Sequence, residues 1–373
     1  MIKKFFNKYK RFIIYVAIVL FLLLLPVLYR FVPLNDVPRT FYISSSKIEG
    51  VTKSLEQNGY MVTWIDRLMM QSTEVPTKGW YSVDLDVDDR LDFFKTLYKH
   101  KSRTMGIVVY AGETAEELTS RLANDMKLDQ KKLLAYYNKE TLFNEADIFA
   151  DHYTLARKAD ENATMTYLFD LSRRALVGYA VEHFKEEPEL SELKVLLTIA
   201  SIIQKESNSV EEMPLISSVI YNRLEKGMKL QMDSTLNYGK YSHTIVTSER
   251  IKTDKSYYNT YKHKGLPLQP LSSVTLDALY AAKYPARNDY LFFMLSKTGG
   301  HNFSATYAEH LANLKTFRIH QKKKKEARLK EQKKLQAKEA RKQLKEKKCL
   351  KEQEELKEAS EVNTSVTLEQ KSK

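Results

Sequence analysis

The sequence predicts an α+β protein with a single transmembrane helix at its amino terminus and a charged tail at its carboxyl terminus. Residues 12–29 are apolar and carry no charge, residues 38–110 mix strand-like and helix-like patterns, and residues 189–314 are mostly helical in pattern. We therefore divide the chain into four predicted parts. These are a basic flank with the anchor (1–30), a small βα subdomain (31–110), a larger, mainly helical domain (111–320) and the tail (321–373).

The apolar segment "FIIYVAIVLFLLLLPVLY" comes close to the length that a helix needs to cross a bilayer. A cleaved signal peptide usually has a shorter apolar region and a small-residue cleavage site, and the flank "YRFVPLND" has no such site. The five cations from Lys3 to Arg11 predict a cytoplasmic amino terminus. We expect a single-pass protein of the cell inner (cytoplasmic) membrane, with the chain after Phe31 in the periplasm.

The βα subdomain is predicted from two segments. "TFYISSSKIEGVTKSLEQNGY" has a strand-like run followed by a helical pattern, and "WYSVDLDV" alternates apolar and polar residues as a half-buried strand does. The next segment, "MGIVVYAGETAEELTSRLANDM", predicts a strand over 107–110, a glycine turn and an amphipathic helix. Thr114 and Glu117 fit a capping box at the start of that helix.

The net charge of +13 lies at the two ends of the chain. Residues 1–30 carry +6 and residues 321–358 carry +8, which leaves −1 on residues 31–320. A nearly neutral body offers no basic groove, so we expect no nucleic-acid partner. The only cysteine, Cys349, excludes an internal disulfide and a thiolate metal cluster, and no H-E-x-x-H motif occurs. We expect neither a metal nor a cofactor.

The tail is composed almost entirely of Lys, Glu, Gln, Arg, Ala and Leu between residues 321 and 358. Its apolar residues are too few for a sustained coiled-coil seam. A solvated single helix and a disordered arm both fit this composition. We predict one of these two states for the tail.

The segment 191–206 is predicted to be an apolar helix that ends in a carboxylate. One helical face carries three apolar residues and then Glu206: Val195, Ile199 and Ile202. A helix that is apolar on nearly all sides is buried, so Glu206 is expected where the helix reaches a cleft or the surface. Desolvation would raise its pKa and let it protonate a leaving oxygen, as glycosidic cleavage requires. The alternative is a solvated glutamate in the last turn of a core helix.

Three clusters of polar and aromatic residues follow, and we expect them in loops: "KLQMDSTLNYG", "YYNTYKHKGLP" and "GGHNF". Loops with such side chains often bind ligands. Aromatic faces stack on sugar rings, and amides bond to hydroxyl and acetamide groups. The clusters therefore favour a carbohydrate ligand, although turn formation alone would explain each one separately.

Taken together, "ASIIQKES", "SSVIYNRLEKGMKLQMDSTLNYG", "YNTYKHKGLP" and "GGHNF" resemble the endolytic murein transglycosylases, the YceG-like family. The resemblance covers most of residues 38–318. It implies that Glu206 is the catalytic acid/base and that the βα region is a LysM-like subdomain. It also implies a lytic transglycosylase that cleaves the β-1,4 bond between N-acetylmuramic acid and N-acetylglucosamine within peptidoglycan strands. The products would carry 1,6-anhydro ends, no water would be consumed, and strand elongation would stop.

Five further residues are expected to bind the substrate: Asn222, Gln231, Asp233, Tyr258 and Asn259. Asp233 and Glu212 are also candidate partners of Glu206, either as a second carboxylate or as structural supports. Before the catalytic helix the family has a stretch like E-G-Y-L-F-P-D-T-Y, where this chain reads "EADIFADHY" and keeps Glu145. The expected partners are peptidoglycan glycan strands and the membrane. Peptidoglycan synthases are a further candidate partner that the sequence does not identify.

Two other functions fit the same residues. A hydrolytic muramidase would use Glu206 together with Asp233 or Glu212, and its products would each contain one added water. A non-catalytic, membrane-tethered peptidoglycan-binding scaffold would recruit partners through the basic tail, and it would keep its binding and cell-wall phenotype after Glu206→Gln.

Overall fold

The computed structural model describes residues 2–34, 38–83 and 89–369. The chain divides into two units, one ending at Asp289 and one starting at Tyr290, and each is described by itself. The described residues form both helices and strands, and helices predominate. The predicted mixed class is therefore confirmed, whereas the domain boundaries predicted at residues 30, 110 and 320 stay predictions.

Helix α1, Ile2–Arg30, contains the predicted apolar segment. Its span Phe12–Arg30 has 19 residues and a mean hydropathy of 2.9, and none of it is buried inside the protein. By length and composition this span could cross a membrane, and an amino-terminal signal sequence would have the same properties. Near the end of α1, the Tyr29 hydroxyl donates a hydrogen bond to Asp66 Oδ1 at 2.5 Å.

The first part of the body consists of two strands and three helices. In chain order these are β1 (Thr40–Ile43), α2 (Ile48–Gln57), α3 (Trp64–Ser72), β2 (Gly79–Ser82) and α4 (Arg90–Thr96). The two strands pair antiparallel, with Phe41 opposite Tyr81, and both rings belong to a core that also holds Leu55 and Phe93. The strand-then-helix order agrees with the sequence prediction. The end of the strand predicted from "WYSVDLDV", residues 84–87, lies outside the described residues.

A buried ion pair joins α3 to α4. Arg90 Nη2 lies 2.7 Å from Asp66 Oδ2, and both side chains are only 1% exposed. Asp66 Oδ2 also accepts the backbone N–H of Thr63 at 2.7 Å, which caps the start of α3. Because a buried charge is costly without its partner, this pair fixes how the two helices pack.

The second part of the body is built on one antiparallel strand pair and three helices. Its elements are β3 (Thr104–Val108), α5 (Ala115–Met126), α6 (Gln130–Glu140), β4 (His152–Ala156) and α7 (Glu161–His183). Strand β3 pairs with β4, with Ile107 opposite Tyr153, and it lies slightly earlier in the chain than predicted. The predicted capping box of α5 is confirmed, since the Thr114 and Glu117 side chains each accept the other's backbone N–H.

The apolar helix α8, Leu190–Glu206, lies at the centre of the third part. It packs against α9 (Met213–Glu225) and α11 (Leu276–Lys283), and the short α10 (Ser248–Thr253) lies between these two in sequence. Ile199 and Ile202 are buried, but Val195 on the same face is 48% exposed. The prediction of a buried helix therefore holds for the half of α8 that leads to Glu206, whereas near its start this face reaches the surface.

The second unit contains a hairpin and a long helix. Strands β5 (Phe292–Leu295) and β6 (His301–Ser304) pair antiparallel, and α12 spans Tyr307–Glu369. The expectation of a loop at "GGHNF" is wrong for its last three residues, because they pair with β5 after a turn at Gly299, where φ is +100°. The choice between a helical and a disordered tail in solution stays a prediction.

Candidate active site

Glu206 is the last residue of α8 and is partly exposed. The isoleucines just before it, Ile202 and Ile203, are completely buried. The helix ends because Ser207 takes an extended backbone conformation, with φ −82° and ψ 143°. An apolar helix thus carries a carboxylate from the core to an opening, as the sequence predicts.

The opening is a cavity of about 330 Å³. Three segments of the chain line it: the loop before α5, the end of α8 and the loops after α9. Their lining residues are Ala111, Gly112, Gln204, Lys205, Glu206, Asp233, Ser234, Asn237 and His243. A larger opening of about 640 Å³ borders α7 and is mostly apolar, with Val177, Val181 and Leu190 among its lining residues. The smaller cavity is the candidate active site because it combines acids, a lysine and neutral polar groups.

Ser234 brings a backbone donor and a side-chain hydroxyl to this cavity. Its backbone N–H donates to Glu206 Oε1 at 3.1 Å, which fixes the carboxyl group in place. The Ser234 hydroxyl and Asn237 Oδ1 are both buried and have no hydrogen-bond partner among the described residues. Buried polar groups are nearly always paired in proteins. Both residues line the same cavity, so these two groups are candidates for hydrogen bonds to a bound ligand or water.

Asp233 is the only one of the five predicted substrate-binding residues that lines the cavity. Its Oδ1 accepts the Tyr261 hydroxyl at 2.6 Å. Burial raises the pKa of Tyr261, and the nearby carboxylates of Asp233 and Glu206 raise it further. Tyr261 is therefore a neutral donor that orients Asp233, a role that sequence reasoning missed.

Tyr258 and Gln231 lie in the surrounding loops and do not belong to the cavity lining described above. The Tyr258 ring stacks on Tyr238 with 3.7 Å between centroids and an interplanar angle of 16°. Gln231 has an exposed side chain and a left-handed backbone with φ +51°, and its N–H donates to the Thr260 carbonyl at 3.2 Å. Their predicted contacts with substrate stay predictions.

The two predicted asparagines have structural roles in this geometry. Asn259 is completely buried, and its Nδ2 donates to the carbonyls of Ile251 at 2.9 Å and Asp254 at 2.8 Å. Asn222 Nδ2 donates to the Asn288 carbonyl at 3.0 Å. Asn259 therefore holds its loop and presents no open face to a sugar, and Asn222 ties α9 to the end of the first unit.

Glu212, the other candidate second carboxylate, lies in the 3₁₀ turn Val210–Glu212 before α9. It does not belong to the cavity lining described above, whereas Asp233 does. The geometry thus favours Asp233 over Glu212 as the carboxylate nearer to the chemistry.

Lys205 is the principal charged group of the cavity that sequence reasoning missed. Burial lowers its pKa, while the carboxylates of Glu117 and Glu145 raise it. Its Nζ lies 3.5 Å from Ser242 Oγ, and Gly112 faces its side chain across a turn with φ +84°. That φ favours glycine, so the glycine in "YAGET" was a sequence signal for the tight loop beside Lys205. In the described ranges no group of three or more His, Cys, Asp or Glu side chains is arranged to hold a metal ion.

A family model described as the YceG-like family matches residues 42–316 of this chain. A protein named endolytic murein transglycosylase from Bacillus subtilis (strain 168) is 30% identical over 227 residues, which are 55% of this chain and 62% of that protein. One of the same name from Streptococcus pneumoniae serotype 2 (strain D39 / NCTC 7466) is 37% identical over 119 residues, 31% of this chain and 22% of that protein. The chain thus spans less than two thirds of the length of these relatives. A crystal structure of a YceG-like protein from Listeria monocytogenes is 26% identical, with a TM-score of 0.48, over 73% of this chain and 98% of the other.

Proposed function

The chain belongs to the YceG-like family, and from this membership and the Glu206 cavity we propose that it is a lytic transglycosylase acting on peptidoglycan. Relatives that match parts of the chain bear the name endolytic murein transglycosylase. The observation that carries the proposal is the placement of Glu206. It ends a buried helix, it is held by the Ser234 N–H, and it shares a cavity with two unpaired polar groups.

The proposed reaction needs one carboxyl group that acts first as a general acid and then as a general base. Protonated Glu206 donates its proton to the glycosidic oxygen as the bond between this oxygen and the anomeric carbon of N-acetylmuramic acid breaks. The 6-hydroxyl of the same muramoyl residue then closes onto the anomeric carbon, and the Glu206 carboxylate accepts the hydroxyl proton. The product has a 1,6-anhydro end, the carboxyl group is restored, and no water is consumed. Cleavage within nascent strands would terminate their elongation.

The other polar groups of the cavity hold the sugar in this scheme. Ser234 supplies a hydroxyl donor and Asn237 an amide oxygen acceptor, which suit the hydroxyl and acetamide groups of the glycan. Asp233, oriented by Tyr261, remains an acceptor for sugar hydroxyls. A hydrolytic muramidase would instead use Asp233 with Glu206, since both line the cavity.

The test is Glu206→Gln, which keeps the size of the side chain and removes the transferable proton. We expect the folded protein to persist and turnover to fall by at least ~10²-fold. Mass spectrometry of fragments from purified sacculi should show 1,6-anhydromuramoyl ends with the unsubstituted enzyme. Reducing muramoyl ends would indicate a hydrolase. If the Glu206→Gln protein releases these fragments at an undiminished rate, Glu206 takes no part in the chemistry. Full cell-wall function without any cleavage would favour the non-catalytic scaffold.

We also propose that α1 anchors the enzyme in the cytoplasmic membrane with the body on the periplasmic side. The proposal rests on the exposed apolar span Phe12–Arg30 and on the cations that precede it. A reporter that is active only in the periplasm should be active when it is fused after His320. A stable but inactive fusion would refute the proposed orientation. The order of β1, α2, α3 and β2 supports the LysM-like subdomain that the resemblance implies, as a further part of this proposal.

A further inference from the structure

Helix α3 starts beside the end of the apolar span of α1. The Tyr29 hydroxyl lies 2.5 Å from Thr63 Oγ1, in the residue that caps α3, and it donates to Asp66 Oδ1 at 2.5 Å. Tyr29 is the last residue but one of the span Phe12–Arg30. Side chains of a helix lean toward its amino terminus, so the Tyr29 hydroxyl does not lie beyond the end of α1. The start of α3 is therefore level with the last turn of the apolar span.

The buried guanidinium group of Arg90 ties the chain after α1 to the chain before α3. Its Nη1 donates to the Pro33 carbonyl at 3.3 Å, and its Nη2 donates to the Met61 carbonyl. Its Nε donates to the Tyr29 hydroxyl at 3.0 Å, and the ion pair with Asp66 holds the group in place. Because one guanidinium group bonds to both carbonyls, Pro33 and Met61 lie side by side. The chain that leaves α1 and the chain that enters α3 therefore form one continuous surface.

This surface carries large apolar side chains that are exposed. Trp64 is 74% exposed, and Leu68, four residues later on the same face of α3, is exposed as well. The opposite face of α3 holds Asp66 and Met70, which are buried in the body. Together with the chain that links α1 to the body, the exposed residues form what we call the α3 surface: Phe31, Val32, Met61, Trp64 and Leu68. A group of exposed apolar side chains of this size marks an interaction site.

We propose that the α3 surface lies in the headgroup region of the same lipid bilayer that α1 crosses. The apolar surface of α1, none of which is buried inside the protein, continues through Phe31 and Val32 into this face, so the bilayer that covers the one also reaches the other. Tryptophan is enriched at membrane–water interfaces, and the apolar face of an amphipathic helix enters them. The inference rests on the proposed membrane anchoring of α1. It adds that the first part of the body lies on the bilayer and is not suspended from α1 by a free linker.

The test measures how strongly lipid quenches the fluorescence of Trp64. The full-length protein is reconstituted in vesicles of phosphatidylcholine and phosphatidylglycerol, with and without bromine atoms on the acyl chains. The chain has two tryptophans, and Trp80 is buried in the body, so the difference between the parent protein and Trp64→Phe reports Trp64 alone. Bromines close to the headgroups should reduce the Trp64 emission about twofold, and bromines near the chain ends should reduce it less, because an interfacial helix enters the bilayer only shallowly. The emission of Trp80 should not change.

Leu68→Asp places a charge on the α3 surface and should abolish most of the Trp64 quenching, while an unchanged Trp80 emission shows that the body is folded. The matched control is Val181→Asp, which adds the same charge at an exposed apolar residue of α7 and should keep the quenching of the parent protein.

Flotation of the vesicles after an alkaline wash tests the anchor separately. Protein that floats with an unquenched Trp64 would overturn this inference, leave the anchor in place and assign the α3 surface to a protein partner. Protein that does not float would refute the anchor, and this inference with it.

Discussion

The raised pKa of Glu145 predicts that Glu145→Gln stabilises the folded protein at neutral pH. The carboxyl group has an ordinary value of 4.5 in the unfolded chain and about 8 in the folded chain. The folded state therefore binds the proton more tightly, and this contribution to stability is complete below pH 4.5 and is lost as the pH rises to 8. Glutamine does not titrate, so its contribution stays constant over the same range.

The size of the stability change follows from the pH range between the two pKa values. Each pKa unit corresponds to about 1.4 kcal/mol. Between 4.5 and pH 7 the unfolded chain gains about 3 kcal/mol by ionising Glu145, whereas the folded chain keeps its proton. Glu145→Gln removes this gain, so we expect it to raise the free energy of unfolding by up to about 3 kcal/mol at pH 7. Near pH 4.5 the two proteins should differ by less than about 1 kcal/mol.

The fluorescence of Trp80 provides the assay. This residue is 2% exposed, and its indole N–H donates to the Thr154 carbonyl at 2.7 Å, so its emission reports unfolding of the body. Urea titrations of the detergent-solubilised protein at pH 5, 6, 7 and 8 give the free energy at each pH. An equal difference at all four values would mean that Glu145 acts through packing alone. A loss of stability at pH 7 would contradict the reasoning outright. The control Glu140→Gln removes a more exposed carboxyl group that pairs with Arg173 at 3.3 Å, and it should show neither effect.

Two further predictions concern the cavity and the tail. Ser234→Ala removes a buried hydroxyl without a partner, so stability should be unchanged or higher while kcat/KM on sacculi falls about threefold to tenfold. The control Ser217→Ala deletes a similarly unpaired hydroxyl outside the cavity lining and should keep full activity. If Ser234→Ala instead loses stability but keeps its activity, the Ser234 hydroxyl has a structural role. Truncation after His320 should leave a cooperative thermal transition and activity, because the tail lacks a core-forming pattern. A broadened transition would show that the tail packs on the rest of the protein.

Much of the fold follows from local patterns in the sequence. The capping box of α5 needs only Thr114 and Glu117 three residues apart, and α8 needs only a long apolar run. Strand β6 was missed because its pairing with β5 depends on a partner segment and not on its own polar residues. The exposure of Val195 was missed for a similar reason, since periodicity defines a helical face but not how far neighbouring elements cover it.

The residues of the candidate site also differ in whether the local sequence was enough to predict them. Glu206 was predictable because its position depends on the helix that carries it, and Asp233 because it follows in a loop of ligand-binding character. Asn259 has the composition of a sugar-binding residue, yet its amide is used by two backbone carbonyls of its own loop. Composition identifies which groups can bind a sugar. Only the fold determines which of them are already occupied.

Glu145 shows the converse case, in which the fold creates a property that the sequence does not contain. It lies 61 positions before Glu206 in the sequence, and a glutamate in a polar loop would ordinarily be solvated and ionised. Burial beside α5 raises the pKa of its carboxyl group to about 8, and its neighbours Asn144 and Ala146 have left-handed backbones with φ +68° and +63°. At neutral pH such a carboxyl group lowers the free energy of unfolding relative to a side chain that does not titrate, because only the unfolded chain gains free energy by ionising it. If Glu145→Gln raises the free energy of unfolding at pH 7 but not near pH 4.5, the titrating carboxyl group is kept at a cost to the stability of the fold.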